Sequence, residues 1–203
     1  MTDWTTSPQV ERILSAYPDK KSAVMPLLYV AMTEYGYLTD EAIQKVARLV
    51  GMTSVQVSSV ATFYTMYKRQ PVGTYLVSVC TSISCGLLGA KGVLDSIADE
   101  AGVPPGETDD AGQVSVEHVE CIGACGGAPA LQVNYELIEG VTPDQGRALV
   151  QWLRSATPPL INGDEMQALF GGQRSFDWGP PDPTGAVGPV PALEGLGSTG
   201  EAP

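Results

Sequence analysis

Four cysteines set the condition that any fold of this chain must meet. Cys80, Cys85, Cys121 and Cys125 are spaced as C-x4-C, a gap of about 35 residues, then C-x3-C. Both pairs sit in stretches rich in glycine and small residues, VCTSISCG at 79–86 and VECIGACGGAP at 119–129. Each pair follows a run with strand character. Adjacent strand ends can bring two such loops together in space.

Four converging thiolates bind zinc or an iron–sulfur cluster. Structural zinc usually takes a tight C-x2-C knuckle on at least one side, and both pairs here are wider. A centre with two irons is broader than one ion, so one wide pair for each iron suits it, and four ligands match [2Fe–2S]. Spacing favours the cluster and leaves zinc and thiol–disulfide chemistry open. The C-x-x-C of a thioredoxin-type redox site is absent, as are the C-x4-C-x2-C and C-x2-C-x2-C ferredoxin runs. Gly86, Gly123, Gly126 and Gly127 are expected to let backbone approach a cluster closely and donate N–H to sulfur. His118 is the only histidine, three residues before Cys121. A Rieske-type centre needs two histidines, so His118 is expected on the solvent side of a strand.

Composition excludes several classes. The formal net charge is -12, which argues against nucleic acid or an anionic membrane surface as partner. No run approaches the roughly 20 apolar residues of a spanning helix. The first residues show neither the basic-then-apolar pattern of a signal peptide nor an Arg-rich import leader, so the chain is expected to act in a cytoplasm, where reducing conditions disfavour structural disulfides. GLLGAKG at 86–92 fails the phosphate-loop pattern, because glycine follows Lys91. With no G-x-G-x-x-G after a strand, NADH and flavin are not expected on this chain.

The expected fold class is α+β. Residues 1–70 read as a helical bundle. Ser7-Pro8 starts a first helix that ends by Pro18. A second helix is expected from about Lys20 to Tyr35, a third capped by Thr39, and a fourth opened by Thr53 and Gln56 at capping-box spacing. Residues 71–156 read as an α/β unit. The pattern predicts a strand at 74–80, one helix over 87–102, a strand at 112–121, a strand or hairpin at 130–140 turning near Asn134, and a helix from Pro143 capped by Thr142. Residues 157–203 are rich in proline and glycine and are expected to be an extended or flexible tail. Within it Leu169, Phe170, Phe176 and Trp178 either dock on a partner or fold back on their own domain.

Taken together, AVMPLLYVAMTEYGYLTDEAI (23–43), VATFYTMY (60–67), PVGTYLVSVCTSISC (71–85), GETDDAGQVSVEHVECIGACGGAP (106–129) and VTPDQGRALVQWL (141–153) resemble one family. It is the thioredoxin-like [2Fe–2S] ferredoxin component of the respiratory NADH-quinone oxidoreductase, complex I. The resemblance covers about 7–155 and implies a helical bundle followed by a thioredoxin-like [2Fe–2S] ferredoxin domain. It implies one [2Fe–2S] cluster ligated by Cys80, Cys85, Cys121 and Cys125. It implies a flavoprotein partner that carries FMN and the NADH site, together with the large iron–sulfur subunit. The location implied is the peripheral arm on the cytoplasmic side of a bacterial membrane, with no direct membrane insertion. A diaphorase subunit of an NAD-linked hydrogenase or formate dehydrogenase shares this chemistry. Readings of other kinds are a zinc-stabilised assembly module and a freestanding ferredoxin, the latter weakened by the helical bundle.

Overall fold

The computed structural model describes residues 3–189. These fall into two compact units, one up to Pro71 and one from Val72. The outer part of the expected tail, from residue 190, lies outside the described residues.

The first unit is helical because apolar residues recur at helical spacing between strong start signals. Its helices are α1 (Pro8–Ser15), α2 (Val24–Tyr35), α3 (Asp40–Val50) and α4 (Ser54–Phe63). The Ser7 hydroxyl accepts from Val10 N–H at 3.3 Å, with Pro8 opening the helix. Thr39 accepts from Ala42 N–H at 3.0 Å. Thr53 and Gln56 cap each other reciprocally, which satisfies two donors that the helix leaves unpaired. Leu27, Leu28, Ala31 and Met32 of α2 are buried, as are Ile43, Val46, Ala47 and Val50 of α3. The Tyr67 hydroxyl donates to Met25 C=O at 3.0 Å, and its ring lies 4.9 Å from that of Tyr29.

One boundary differs from expectation. Lys20–Ala23 is a 3-10 turn, and the α-helix begins at Val24. Pro26 sets this limit. It has no N–H, and its ring clashes with the carbonyl four residues earlier, so an α-helix tolerates it only in the first turn.

The second unit holds β1 (Tyr75–Cys80), α5 (Ile83–Leu87), α6 (Ala90–Ala101), β2 (Glu107–Thr108) and β3 (Val114–Val119). It continues with β4 (Leu131–Val133), β5 (Glu136–Ile138), α7 (Pro143–Ala156) and α8 (Gly163–Phe170). The sheet order is β2-β3-β1-β4-β5. Central β1 runs parallel to β3 and antiparallel to β4. Every residue of β1 is buried, as suits a strand with neighbours on both edges. Val77, Val79, Val93, Ile97, Leu131, Leu149 and Leu153 belong to one core. Helices α6 and α7 approach closely at Gly146, where a Cβ would stand 3.0 Å from Ile97 Cγ1. The 130–140 stretch is a hairpin, with Asn134 and Tyr135 both at positive φ in the turn. The Asn134 side chain accepts from Leu76 N–H at 2.8 Å and donates to Thr74 C=O at 3.0 Å, extending the edge that β4 offers β1.

Two further expectations need correction. The helix expected over 87–102 begins only at Ala90, as α6; the short α5 precedes it, and Gly89 at φ +96° separates the two. The region from 157 is not uniformly an extended or flexible tail. Asn162 caps α8 through its side chain at 2.9 Å from Glu165 N–H, and Met166 and Phe170 are buried. Ile161 and Ala186 then exchange backbone hydrogen bonds at 2.9 and 2.8 Å. This stretch buries enough apolar surface to order itself despite its glycines and prolines. Among the described residues no helix is long and apolar enough to cross a membrane.

Arg154, near the end of α7, closes the far side of this unit. It donates to Glu100 C=O at 2.8 Å and Ala101 C=O at 2.6 Å, and meets the Asp109 carboxylate at 2.9 Å. It thereby satisfies carbonyls at the end of α6, where a cation is favoured. Burial alone would raise the Asp109 carboxyl; Arg154 and the Gln113 and Val114 N–H groups outweigh it and hold it below its ordinary value. A group held down in this way stabilises the fold fully above its unfolded pKa, about 4, and loses that contribution as pH falls through the folded value. Asp109→Asn is therefore expected to cost about 2–3 kcal/mol at pH 7. Urea unfolding should show that difference from wild type shrinking below about pH 4.

Candidate metal centre

The register of one strand pair builds the site. Cys80, the last residue of β1, lies opposite Val119, the last residue of β3. Parallel strands that end level release their following loops on the same side, so the loop after β1 meets the loop after β3. Thr81 N–H donates to Val119 C=O at 3.0 Å, and Cys80 N–H to Ala130 C=O at 3.1 Å. Cys80 is thus pinned between both neighbouring chain segments. Cys85 follows on α5. Cys121 and Cys125 flank a turn that Gly123 enters at φ +91°, a backbone conformation disfavoured for side-chain-bearing residues.

The four thiols are free and form two unlike pairs. Cys80 and Cys85 are each 2% exposed, whereas Cys121 and Cys125 face solvent. The Cys121 and Cys125 sulfurs are 3.5 Å apart. Desolvation pushes the Cys85 thiol up to about 11, assisted by Cys80 and Cys125 and opposed by a backbone hydrogen bond from Ala130. The Cys125 thiol is also raised, chiefly by Cys121, with the Ser84 side chain pulling the other way. Ala124 of the second loop lies in one buried cluster with Cys80 and Cys85, so the two loops meet. Ala90, Ala124 and Ala130 surround the buried pair, with Ile122, Ala128 and Leu137 packed alongside.

This donor set fits a thiolate-ligated cluster. Four soft sulfurs, arranged as two pairs, would suit a centre of two irons, one pair to each. A nearby metal's positive charge would draw the protons from thiols that burial keeps neutral. Among the described residues no three His, Cys, Asp or Glu side chains converge in an arrangement that would hold a single metal ion. His118 is exposed on β3, opposite Val79.

The glycines of the second loop have a reason that spacing did not reveal. A Cβ on Gly126 would lie 3.2 Å from Ser175, and one on Gly127 would lie 2.8 Å from Glu139 Cβ and 2.9 Å from Gln173 C=O. The crowding at these two positions comes from β5's trailing end and from residues 173–175. Sequence reading missed Ser84 and Ala130 as neighbours of the thiols, and Glu139 and Ser175 as neighbours of the Gly126–Gly127 turn. Ser84, beside Cys85, carried the only local signal; the other three are distant in sequence from the groups they touch.

A family model described as thioredoxin-like [2Fe-2S] ferredoxin matches residues 10–154. An NADH-quinone oxidoreductase subunit from Mycobacterium tuberculosis is 38% identical over 193 residues, spanning 92% of this chain and 75% of its own. A second NADH-quinone oxidoreductase subunit, from Thermus thermophilus, is 40% identical over 149 residues, spanning 72% of this chain and 82% of its own. Among solved structures, an NAD+-reducing [NiFe]-hydrogenase in the air-oxidized state aligns with TM-score 0.57 at 17% identity over 65% of this chain. That likeness concerns the fold alone, and the chain spans only 23% of the hydrogenase chain's length.

The exposure difference predicts ordered reactivity. In metal-free, reduced protein, Cys121 and Cys125 should be alkylated by a maleimide at least about tenfold faster than Cys80 and Cys85. Mass-spectrometric mapping of labelled peptides over time checks this.

Proposed function

The chain belongs to the thioredoxin-like [2Fe-2S] ferredoxin family, and we propose that it serves as the electron-transfer subunit in the NADH-oxidising module of NADH:quinone oxidoreductase. In this reading Cys80, Cys85, Cys121 and Cys125 hold one [2Fe–2S] cluster, and the chain docks on a flavoprotein that carries FMN and the NADH site, beside the large iron–sulfur subunit. Single electrons pass between that flavin and this chain, and the isolated chain turns over no substrate. The complex stands in the peripheral arm on the cytoplasmic side of a bacterial membrane. The observation that supports the reading is that the two thiol-bearing loops come together at the level ends of β1 and β3, where Ala124 of the second loop shares a buried cluster with Cys80 and Cys85.

When bound, such a cluster supplies one-electron chemistry with no bond made or broken in a substrate. The residues of this chain position and tune it. Cys80 and Cys85 supply a pair shielded by alanines, and Cys121 and Cys125 a pair near the surface. Hydrogen bonds at Cys85 and Cys125, from Ala130 and Ser84, favour the thiolate and lower the charge density on sulfur. The α5 region adds an apolar surface beside the site: Ile83, Leu87 and Leu88 are 80%, 83% and 62% exposed. Apolar residues grouped in this way support a protein partner on that face.

Two alternatives share parts of this account. A diaphorase subunit of a hydrogenase or formate dehydrogenase would use the same thiols with a different set of partners; the subunits that co-purify with the chain separate these. A zinc-stabilised assembly module would be colourless and redox-silent.

The direct test mixes the purified chain with its flavoprotein subunit under anaerobic conditions and adds NADH. Visible absorbance of the chain should bleach with the flavoprotein present and stay unchanged without it. Replacing any one of Cys80, Cys85, Cys121 or Cys125 by serine should abolish or reshape that spectrum, and an unaltered spectrum removes that residue from the ligand set. Exposed Glu120, beside Cys121, adds negative charge that disfavours reduction. Glu120→Gln should raise the midpoint potential by roughly 20–50 mV in a redox titration, and an unchanged or lower value contradicts this.

A further inference from the structure

Among the described residues two acids are buried, Asp109 and Glu139. Asp109 meets Arg154. Glu139, at 1% exposure, is held by neutral donors that come from a single later segment. One carboxylate oxygen accepts from the Ser175 N–H at 3.0 Å and from the Ser175 hydroxyl, and the other accepts from Trp178 Nε1 at 3.2 Å. The Glu139 backbone is tied to the same region. Its C=O accepts from Gly172 N–H at 2.7 Å and Gln167 Nε2 at 3.1 Å, and its N–H donates to Gln167 Oε1 at 2.8 Å.

The opposite side of this assembly is the Cys125–Gly127 turn. Gly140 N–H donates to Gly127 C=O. Ser175 packs on Gly126, while Gln173 C=O and the Glu139 side chain crowd Gly127 so closely that neither position admits a Cβ without displacement. The turn is therefore clamped between the end of β5 and residues 173–175. Its own backbone adds a bond from Gly127 N–H to Ala124 C=O at 3.2 Å.

We propose that residues 172–178 form a strap that, through Glu139, positions the Cys125 turn and sets how firmly the Cys121–Cys125 pair grips its metal centre. This rests on the cluster reading given above. The physical reason is cooperative. A buried carboxylate must keep its donors, because an unsatisfied one is costly. Releasing the strap strips Glu139 of all three, so the strap, Glu139 and the turn loosen together. Cys125 has no burial of its own to hold it, unlike Cys80 and Cys85, so its geometry depends on this clamp. Glu139 acts here as a positioning residue that never touches the metal.

The test uses the full chain with Glu139→Ala, Glu139→Gln, Ser175→Ala and Trp178→Phe. Two rates are read: amide hydrogen exchange in peptides covering 121–129, and anaerobic loss of iron to a chelator. Glu139→Ala should accelerate both by at least about tenfold. Glu139→Gln and Ser175→Ala should give intermediate increases, and Trp178→Phe the smallest. Peptides from 23–35 should exchange as in wild type, which separates local release from general destabilisation. Ser175→Ala and Trp178→Phe alter the strap without touching the core, so they decide the matter if Glu139→Ala does not fold. Faster exchange confined to 171–178, or faster exchange at 121–129 with iron loss unchanged, overturns the proposal. A wild-type chain that holds no iron defeats the cluster reading instead, while the exchange measurement still decides whether the strap holds the turn.

Discussion

The in-step ending of two parallel strands is the constraint on which the rest of this structure depends. β1 and β3 pair without a slip from Tyr75 opposite Val114 to Cys80 opposite Val119. A shift of one residue would turn every side chain of a strand to the other face. It would send Cys80 away from its partners and expose the valines that fill the core. Hydrophobic burial and thiol placement are therefore fixed by one register. The connection between the strands contains α6, which packs on the sheet with α7, as parallel strands require a covered face.

Around that frame the chain spends buried polar groups sparingly. Arg154 and Asp109 neutralise each other while satisfying the end of α6. Asn134 substitutes a side chain for missing strand backbone. Glu139 draws a distant segment against the second cysteine turn. Arg154 and Glu139 join segments distant in sequence, whereas Asn134 extends a pairing that the β1–β4 ladder already makes. The asymmetry of the thiols follows from the same design: the first pair is held by the sheet and an alanine shell, whereas the second sits on a turn at the surface.

Much of this was legible in the sequence where the cause is local. Ser7-Pro8, Thr39, Thr53 with Gln56, and Thr142 announced helix starts because a cap bonds to residues two or three positions on. The strand-like runs before each cysteine pair announced that both pairs lie where strands end, and they do, at the ends of β1 and β3. Local signals were also misread. Gly89 and Pro26 each put the start of an α-helix later than the pattern suggested. Helix α8 was hidden by the glycines and prolines around it, although Asn162, Met166 and Phe170 stand at helical spacing. What no sequence pattern could supply were contacts across long separations. Glu139 with Ser175 spans 36 residues and Asp109 with Arg154 spans 45. Neither pair carries a spacing rule, because tertiary approach alone creates them.

The central claim is that the two loops jointly hold one two-iron centre. The most direct measurement is iron and acid-labile sulfide analysis of the full chain purified anaerobically, with an electron paramagnetic resonance spectrum after reduction. The account predicts two irons and two sulfides per chain and a spin-half signal in the reduced state. Stoichiometric zinc without iron, or a reduced protein with no such signal, would contradict it.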